Sequence, residues 1–289
     1  MPNLRDIKRR IKSVKNTQQI TKAMKLVSAS KLRKAQEAII SARPYALKLM
    51  EVLHHLSARC NHDLHPLLDD RDENRWLILV ITADRGLCGS FNGSIIRKTL
   101  QIIEENSEKE IQLITAGKKG HAIFKNRDNK ILHDHSGWTR DFDYLKAAEI
   151  GSTLASLFAE KAIDRVYILY NEFKSVMQQE VILEQLLPIV PETLDTGKGS
   201  MKVVDYIYEP EEGAILSTLL ERYMTVEVYR AFLESSASEH GARMTAMDSA
   251  SRNAGEMIGD LTLTYNKARQ AYITKELIEI VNGAEALKA

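Results

Sequence analysis

The fold is decided by residues 219–272, LLERYMTVEVYRAFLESSASEHGARMTAMDSASRNAGEMIGDLTLTYNKARQAY. Apolar or small side chains recur here at alternating steps of four and three residues, and only Arg230, His240 and Ser251 interrupt them. The line of side chains runs through Leu219, Tyr223, Val226, Arg230, Leu233, Ala237, His240, Met244, Met247, Ser251, Ala254, Ile258, Leu261, Tyr265, Ala268 and Tyr272. A heptad repeat of this length predicts a left-handed coiled coil, and a helix within a larger bundle is the alternative.

The N-terminal residues 1–58 predict the partner helix. The last proline of the chain is Pro210, so residues 213–288 can form one helix, roughly 110 Å long at about 1.5 Å per residue. Steps of three and four residues from Leu4 trace a second line of side chains on the N-terminal segment. An antiparallel pairing of the two chain ends within one molecule is the interpretation that we favour.

Part of the N-terminal line is polar, within QQITKAMKLVSASKLRKAQ, residues 18–36. The apolar side chains there move to Ile20, Met24 and Val27, which predicts a shift of the packing face. Pro44 removes a backbone donor and predicts a bend further along the same helix.

The middle of the chain, residues 74–210, predicts an inserted α/β domain of the Rossmann-like kind. Its predicted strands are WLILVIT, IQLITAG, DRVYILYNEF, QEVILEQLLPI and KVVDYIYEP, and its predicted helices are SIIRKTLQIIEENSEKE and YLKAAEIGSTLASLFAEKAI. Strands that alternate with helices predict a mainly parallel sheet. The predicted domains are therefore residues 1–58, 74–210 and 211–289, with a coiled-coil helix at each end.

Charge is concentrated at the N-terminus. Residues 1–36 contain eleven Lys or Arg and one acid, although the whole chain has a net charge of +1. Such a block predicts an acidic partner, which is a protein, a nucleic acid or a membrane surface. A basic helical nucleic-acid binder with an α/β module is thus one candidate, but no aromatic side chain precedes Tyr45 to stack on bases.

Composition excludes several other classes. Two cysteines, Cys60 and Cys88, argue against a secreted disulfide scaffold. No apolar run approaches the roughly 18–20 residues that a membrane span needs, and the N-terminus has no apolar signal-peptide core. We expect a soluble chain that reaches a membrane surface only through partners.

Two motifs invite a catalytic or metal-binding interpretation. DRGLCGSFN, residues 84–92, follows a predicted strand, but its glycines match neither a dinucleotide fingerprint nor a P-loop, and a tight turn with a buried Cys88 is favoured over a nucleophile. HHLSARCNHDLHP, residues 54–66, groups Cys60 with His62 and His65 but lacks zinc-ligand spacing. We expect no catalytic residue, no metal and no cofactor. The histidines of HDHSGW are expected at a loop or sheet edge.

Small residues dominate 235–255, SSASEHGARMTAMDSASRNAG. They allow two helix backbones to approach closely, and a thin segment of coiled coil is the plainer interpretation of the same composition.

The two ends of the chain resemble the γ subunit family of F-type ATP synthases. NTQQITKAMKLVSASKLRKAQ is similar to that family's first helix, and YNKARQAYITKELIEIVNGAEAL is similar to its last. DRGLCGSFN resembles a turn in its middle domain. The resemblance covers the whole chain. We expect no transit peptide before Leu4, which favours a bacterial form over an organellar precursor, and a mature organellar form is the alternative.

This resemblance implies a non-catalytic, central-stalk rotor subunit, present once per complex. Its coiled coil would enter the ring of α and β subunits, and its α/β domain would meet the ε subunit and the c-subunit ring. Ion-driven rotation of the c ring would then impose different conformations on the β sites. The implied ion is H⁺ or Na⁺, and the implied location is the cytoplasmic face of the bacterial inner membrane, as a peripheral protein.

The resemblance also implies contact residues. Those facing the α and β subunits would be Lys22, Met24, Lys25, Arg269, Gln270 and Thr274. Those of the foot against ε and the c ring would be Tyr206 and Glu209. Photosynthetic members have an extra redox-active cysteine pair, and since Cys88 is the one cysteine of the middle domain, we expect no such regulation here.

Overall fold

A computed structural model describes residues 4–57, 65–127, 129–139, 142–189 and 212–286. The chain divides into two compact units. The coiled-coil unit comprises Met1–Ser28 with Met244–Ala289, and the globular unit comprises Ala29–Arg243.

Two long helices contribute to both units. Helix α1 spans Leu4–Ser57, and Pro44 lies inside it without ending it. Helix α5 spans Glu212–Ala286. On α5, the predicted line of side chains is buried or half-buried from Leu219 to Ala268, and Tyr272 is exposed. The heptad periodicity therefore predicts the packed face of α5 correctly over almost its whole length.

The predicted shift of the packing face on α1 is wrong. Ile20 and Val27 are 60% and 58% exposed, whereas Thr21 and Ser28 on the original line are 7% and 2% exposed. The original line therefore stays packed through its polar part. Small and polar side chains suit that position because the opposite helix also presents small residues, so little space separates the two backbones.

Pairing in the coiled-coil unit is antiparallel. The amide Nε2 of Gln18 donates to the backbone carbonyl of Ser251 over 3.2 Å, and Lys25 Nζ lies 2.6 Å from Asp248 Oδ1. The position on α1 rises by seven residues between these contacts while the position on α5 falls, so the two segments run in opposite directions.

The globular unit contains a five-stranded sheet in the order β3-β2-β1-β4-β5. The strands are β1 Arg75–Ile81, β2 Glu110–Ala116, β3 Ile131–Asp134, β4 Arg165–Phe173 and β5 Gln179–Leu187. All neighbouring pairs are parallel except β4 with β5. The mainly parallel sheet is confirmed. Strand β1 is buried from Trp76 to Ile81 because helices cover both faces of such a sheet.

Three shorter helices pack on the sheet. They are α2 Phe91–Glu105, α3 Lys118–Lys125 and α4 Tyr144–Ala159. One core joins α4 with the parts of α1 and α5 that lie in this unit, around Leu53, Leu154 and Phe232. A second core, on the opposite sheet face, holds α2 and α3 around Ile95 and Phe124.

Two elements escape prediction from the sequence. Helix α3 has only eight residues and strand β3 only four, too few to show a hydrophobic period. The predicted strand KVVDYIYEP, residues 202–210, lies outside the described residues.

Candidate functional site

Helices α1 and α5 approach each other closely at Gly255 in the coiled-coil unit. A Cβ atom at this position would lie 3.0 Å from Nε2 of Gln18, the atom that donates to Ser251. The small residues Ser251 and Gly255 thus let the side-chain amide of Gln18 on α1 reach the backbone of α5. The close approach that the small residues predict is confirmed at this level of the coil.

The predicted contact residues of α1 differ in their surroundings. Lys22 is exposed, and Met24 and Lys25 are half-buried. The ammonium of Lys25 lies 2.6 Å from Asp248, and this hydrogen bond lowers the pKa of the Asp248 carboxyl below its usual value. Part of the Lys25 charge therefore neutralises a carboxylate of the same unit, whereas Lys22 presents its charge to solvent.

Exposed cations surround this part of α1. The exposed basic residues between Arg5 and Lys22 are Arg5, Lys8, Arg9, Arg10, Lys12, Lys15 and Lys22. The single acid among them, Asp6, pairs with Arg9 over 3.3 Å. A surface with this surplus of cations attracts an acidic partner at long range.

The end of α5 forms an exposed tip, residues 269–284, of which every residue is exposed. Counting back 14 residues from the contact of Gln18 with Ser251, Leu4 at the start of α1 lies beside about residue 265 of α5, since both helices rise about 1.5 Å per residue. Beyond that level, no described residue of α1 remains to cover α5. Arg269, Gln270 and Thr274 all lie on this tip.

The tip is apolar as well as exposed. Its large apolar side chains are Tyr272, Ile273, Leu277, Ile278, Ile280 and Val281, each between 48% and 67% exposed. Polar groups alternate with them: Lys275 lies 3.5 Å from Glu279, and a hydrogen bond to Glu276 raises the pKa of Tyr272. A helix that exposes this much apolar surface needs a partner with an apolar lining.

The turn at residues 84–92 connects β1 to α2 and is held by side-chain hydrogen bonds to the backbone. Asp84 accepts from the amides of Lys118, Gly137 and Thr139 and from the Thr139 hydroxyl, over 2.7–3.3 Å. Burial opposes ionisation of Asp84, but these bonds outweigh it and lower its pKa. The amide of Ala83 donates to the Asn92 side chain over 2.8 Å.

Cys88 lies inside this turn and is 2% exposed. Burial raises the pKa of its thiol, and the Asn92 side chain donates to its sulfur over 3.2 Å. A nucleophilic cysteine needs a lowered pKa and access to a substrate. The structure therefore supports the interpretation as a structural turn.

A buried ion pair fastens α5 beside the same turn. Arg243 Nη2 lies 2.7 Å from Glu239 Oε1, and the two side chains are 9% and 4% exposed. The same guanidinium nitrogen donates to the carbonyl of Gly86 over 3.3 Å. Sequence reasoning missed this pair, although the spacing of four residues on a helix was a usable signal.

Histidines form no metal site in the part of the chain that the structure describes, where no cluster of three His, Cys, Asp or Glu side chains has a ligand arrangement. Cys60 and His62 lie outside the described residues. His65 contacts the Ser217 hydroxyl over 3.1 Å. His133 lies on the edge strand β3 and is exposed, as its sequence context predicts.

Two further predictions concern the foot and the membrane. Tyr206 and Glu209 lie outside the described residues. Over the described ranges, none of the helices has the length and apolar character of a membrane span.

Comparison with known proteins gives a consistent result along the whole chain. A family model described as ATP synthase matches residues 3–287. The ATP synthase gamma chain of Geobacter sp. (strain M21) is 50% identical over 290 residues and covers 100% of both chains. That of Chlorobium phaeobacteroides is 47% identical over 294 residues, again with 100% coverage of both.

Solved structures with a similar fold come from mitochondrial ATP synthases. A chain in the central stalk and c ring of the Tetrahymena thermophila enzyme has a TM-score of 0.62 and 28% identity, covering 80% of this chain and 99% of that one. A chain in the Euglena gracilis F1 and c-ring assembly has a TM-score of 0.72 over 98% of this chain and 94% of that one. At 22% identity, the latter likeness concerns the fold.

Proposed function

This chain belongs to the family of ATP synthase gamma chains, and we infer from that membership that it is the central-stalk rotor subunit of an ATP synthase. The observation that carries the inference is identity of 50% across 100% of a curated gamma chain. The chain is a non-catalytic subunit of the complex, since nucleotide chemistry belongs to its partners. Nothing in these similarities supports the alternative of a nucleic-acid binder.

We propose that the coiled-coil unit turns inside the ring of α and β subunits. A ring of identical sites needs an asymmetric element at its centre to hold those sites in different states. A single pair of unlike helices meets that need, because α1 presents cations while the tip of α5 presents apolar and polar side chains in turn. Rotation then brings each face to each β subunit in succession.

The exposed cations of α1 support contact with acidic loops of β. Lys22 is the strongest candidate because its charge faces solvent, and Met24 is half-buried beside it. Lys25 is shared between this proposed contact and the ion pair with Asp248. The proposal therefore ranks the two lysines, with the larger effect on the ring expected from Lys22.

The exposed tip of α5 supports contact with the lining of the ring. Its apolar side chains suit a lining that excludes water, and Arg269, Gln270 and Thr274 would supply polar contacts with β at its base. Each is exposed, so each is available to a partner.

The globular unit is proposed to meet the ε subunit and the c ring, with Tyr206 and Glu209 as foot contacts. One gamma chain would serve each complex, at the cytoplasmic face of the bacterial inner membrane. The central stalk and c ring named for the Tetrahymena structure support this arrangement.

A reconstituted complex tests the rotor proposal. We expect Arg269→Ala with Gln270→Ala to reduce coupling between ATP hydrolysis and ion pumping, since two polar contacts to β are removed. Arg97→Ala with Gln101→Ala is a matched control, because these side chains are exposed on α2 of the globular unit. Equal coupling in both double variants would reject the contact assignment, and failure of the parent chain to assemble with α and β subunits would reject the rotor role.

A further inference from the structure

A cavity of about 950 Å³ lies within the globular unit. It is bounded by α1, β5 and α5, and Ala42, Ala46, Met50, Leu186 and Leu233 are among its apolar lining. Ligand cavities usually have volumes of roughly 300–1,000 Å³, apolar walls and a few well-placed polar groups. This cavity thus has the size and the wall composition of a small-molecule site.

A partly exposed network of charges forms its polar side, since the Arg230 and Glu184 side chains are each about one third exposed. Arg230 Nη2 donates to both oxygens of Glu184 over 2.7 Å, its Nε donates to Glu227 over 2.8 Å, and its Nη1 donates to the Tyr170 hydroxyl over 3.2 Å. All three guanidinium nitrogens are therefore occupied. Arg230 cannot serve an incoming anion without giving up one of these partners.

Acceptors remain on the same side. Glu227 is 3% exposed, and only its Oε2 receives a hydrogen bond from the described residues. Tyr223, one turn earlier on α5, is 9% exposed and its hydroxyl has no hydrogen-bond partner in the described ranges. Residues four apart on a helix lie on the same face, and the side chains of Tyr223 and Glu227 both line the cavity.

The charge balance of the lining is negative. Glu184, Glu227 and Glu234 face Arg43 and Arg230, and Glu172 is neutralised by Lys174 over 2.6 Å. Burial raises the pKa of both Glu227 and Glu234, so their ionised forms lack full compensation. A cation placed beside Glu227 would supply that compensation, whereas an anion would add to the repulsion.

We propose that this cavity binds a small amphipathic cation, a protonated amine on an apolar body, with its ammonium group hydrogen-bonded to Glu227 and Tyr223. The apolar body lies against Ala42, Ala46 and Leu233. The proposed site shares no residue with the contacts proposed above for the ring and the foot.

Isothermal titration calorimetry on the full chain tests the site with 4-phenylbutylamine. The comparison ligands 4-phenylbutan-1-ol and 4-phenylbutanoate keep the apolar body and change the head group. We expect saturable binding of the amine at one site, binding of the alcohol at least roughly tenfold weaker, and no binding of the carboxylate, because a hydrogen bond to a charged group contributes about a factor of ten or more.

Two variants locate the site. Glu227→Gln keeps the shape of the wall and should weaken amine binding roughly tenfold or more, whereas Glu104→Gln, an exposed glutamate of α2, should leave it unchanged. Ala42→Leu fills the cavity without altering charge and should abolish binding of amine and alcohol alike. Carboxylate binding equal to amine binding, or amine binding that survives Ala42→Leu, would overturn the proposal. If Glu227→Gln fails to fold, the Ala42→Leu result decides the question.

Discussion

Replacing Arg243 by methionine removes the cation that neutralises Glu239 inside the globular unit. The methionine retains the apolar stem of the arginine, so the main change is the loss of charge and hydrogen bonds. In the parent chain the pair is 2.7 Å apart, with the Glu239 side chain 4% exposed. The variant therefore leaves a carboxylate almost without solvent and without its cation.

The expected loss of unfolding free energy is about 3–5 kcal/mol, the usual cost of removing one partner of a buried ion pair. Two contacts add to it: the Arg243 guanidinium also donates to the Gly86 carbonyl over 3.3 Å and lies 3.3 Å from His240 Nδ1. The double variant Glu239→Leu with Arg243→Met removes both charges. It should recover most of the loss, because apolar side chains of similar volume can replace such pairs at little cost.

The loss should depend on pH. Burial raises the pKa of Glu239 above its ordinary value of 4.5, and Arg243 opposes that rise. Without Arg243 the pKa rises further, so the native state binds a proton that the unfolded state has released. Stability then increases as pH falls through the folded-state pKa, and the deficit is largest at high pH.

Urea unfolding followed by tryptophan fluorescence measures this difference, because Trp76 and Trp138 both lie in the globular unit. The neighbouring His240 also loses a charged neighbour, since burial, Arg243 and Lys31 lower its pKa to about 4. Both variants lack Arg243, so this loss affects them alike. The difference between their unfolding free energies at each pH therefore reports the charge of Glu239. We expect the single variant to be the less stable at pH 8 and to approach the double variant near pH 5. Equal stability of the two variants at every pH would refute the claim that an uncompensated carboxylate causes the loss.

Three other predictions follow from backbone geometry and burial. Gly259→Ala should raise the unfolding free energy by about 1 kcal/mol, since no atom lies within 4 Å of the new Cβ. Gly255→Ala should gain less stability because its Cβ would displace the side-chain amide of Gln18. Circular dichroism melts of the two variants measure this difference. Gly117→Ala should prevent normal folding because its φ is +96° and the new Cβ would lie 2.0 Å from the backbone oxygen of Thr82. Gly137→Ala has a similar φ of +93° but open space around the new Cβ, so it should lower the free energy of unfolding in urea by only about 1–3 kcal/mol. Cys88 should resist iodoacetamide in the native chain at pH 8 and react after unfolding, as intact mass will report; rapid native labelling of this thiol would contradict its burial.

Periodicity in the sequence predicts the long helices well. A repeat sustained over many heptads samples the packing face repeatedly, so one polar position changes the prediction little. The error on α1 arises where the prediction followed side-chain hydrophobicity alone. Thr21 and Ser28 are buried although Ile20 and Val27 are exposed, because the space available at that level suits small side chains.

Candidate sites are predicted less completely. The contact residues Lys22, Arg269 and Gln270 come from family resemblance, and their exposure is compatible with contact without testing it. The structural role of DRGLCGSFN is foreseen from the absence of a phosphate-binding pattern. The hydrogen bonds that hold this turn cannot be predicted from the sequence, because Asp84 accepts from the amides of Gly137 and Thr139, more than fifty residues away.

The sequence alone determined the two long helices, the mainly parallel sheet and the family, because each depends on a local period or on a motif that can be read along the chain. Only the tertiary structure decided which charges are neutralised. Lys25 and Lys22 look alike in sequence, yet one pairs with Asp248, 223 residues away, and the other faces solvent. The Arg230 network with Glu184 and the cavity beside it also depend on residues that meet only after folding. Burial and long-range pairing set the free energy of a charge, and neither is encoded in the identity of the residue or of its neighbours in sequence.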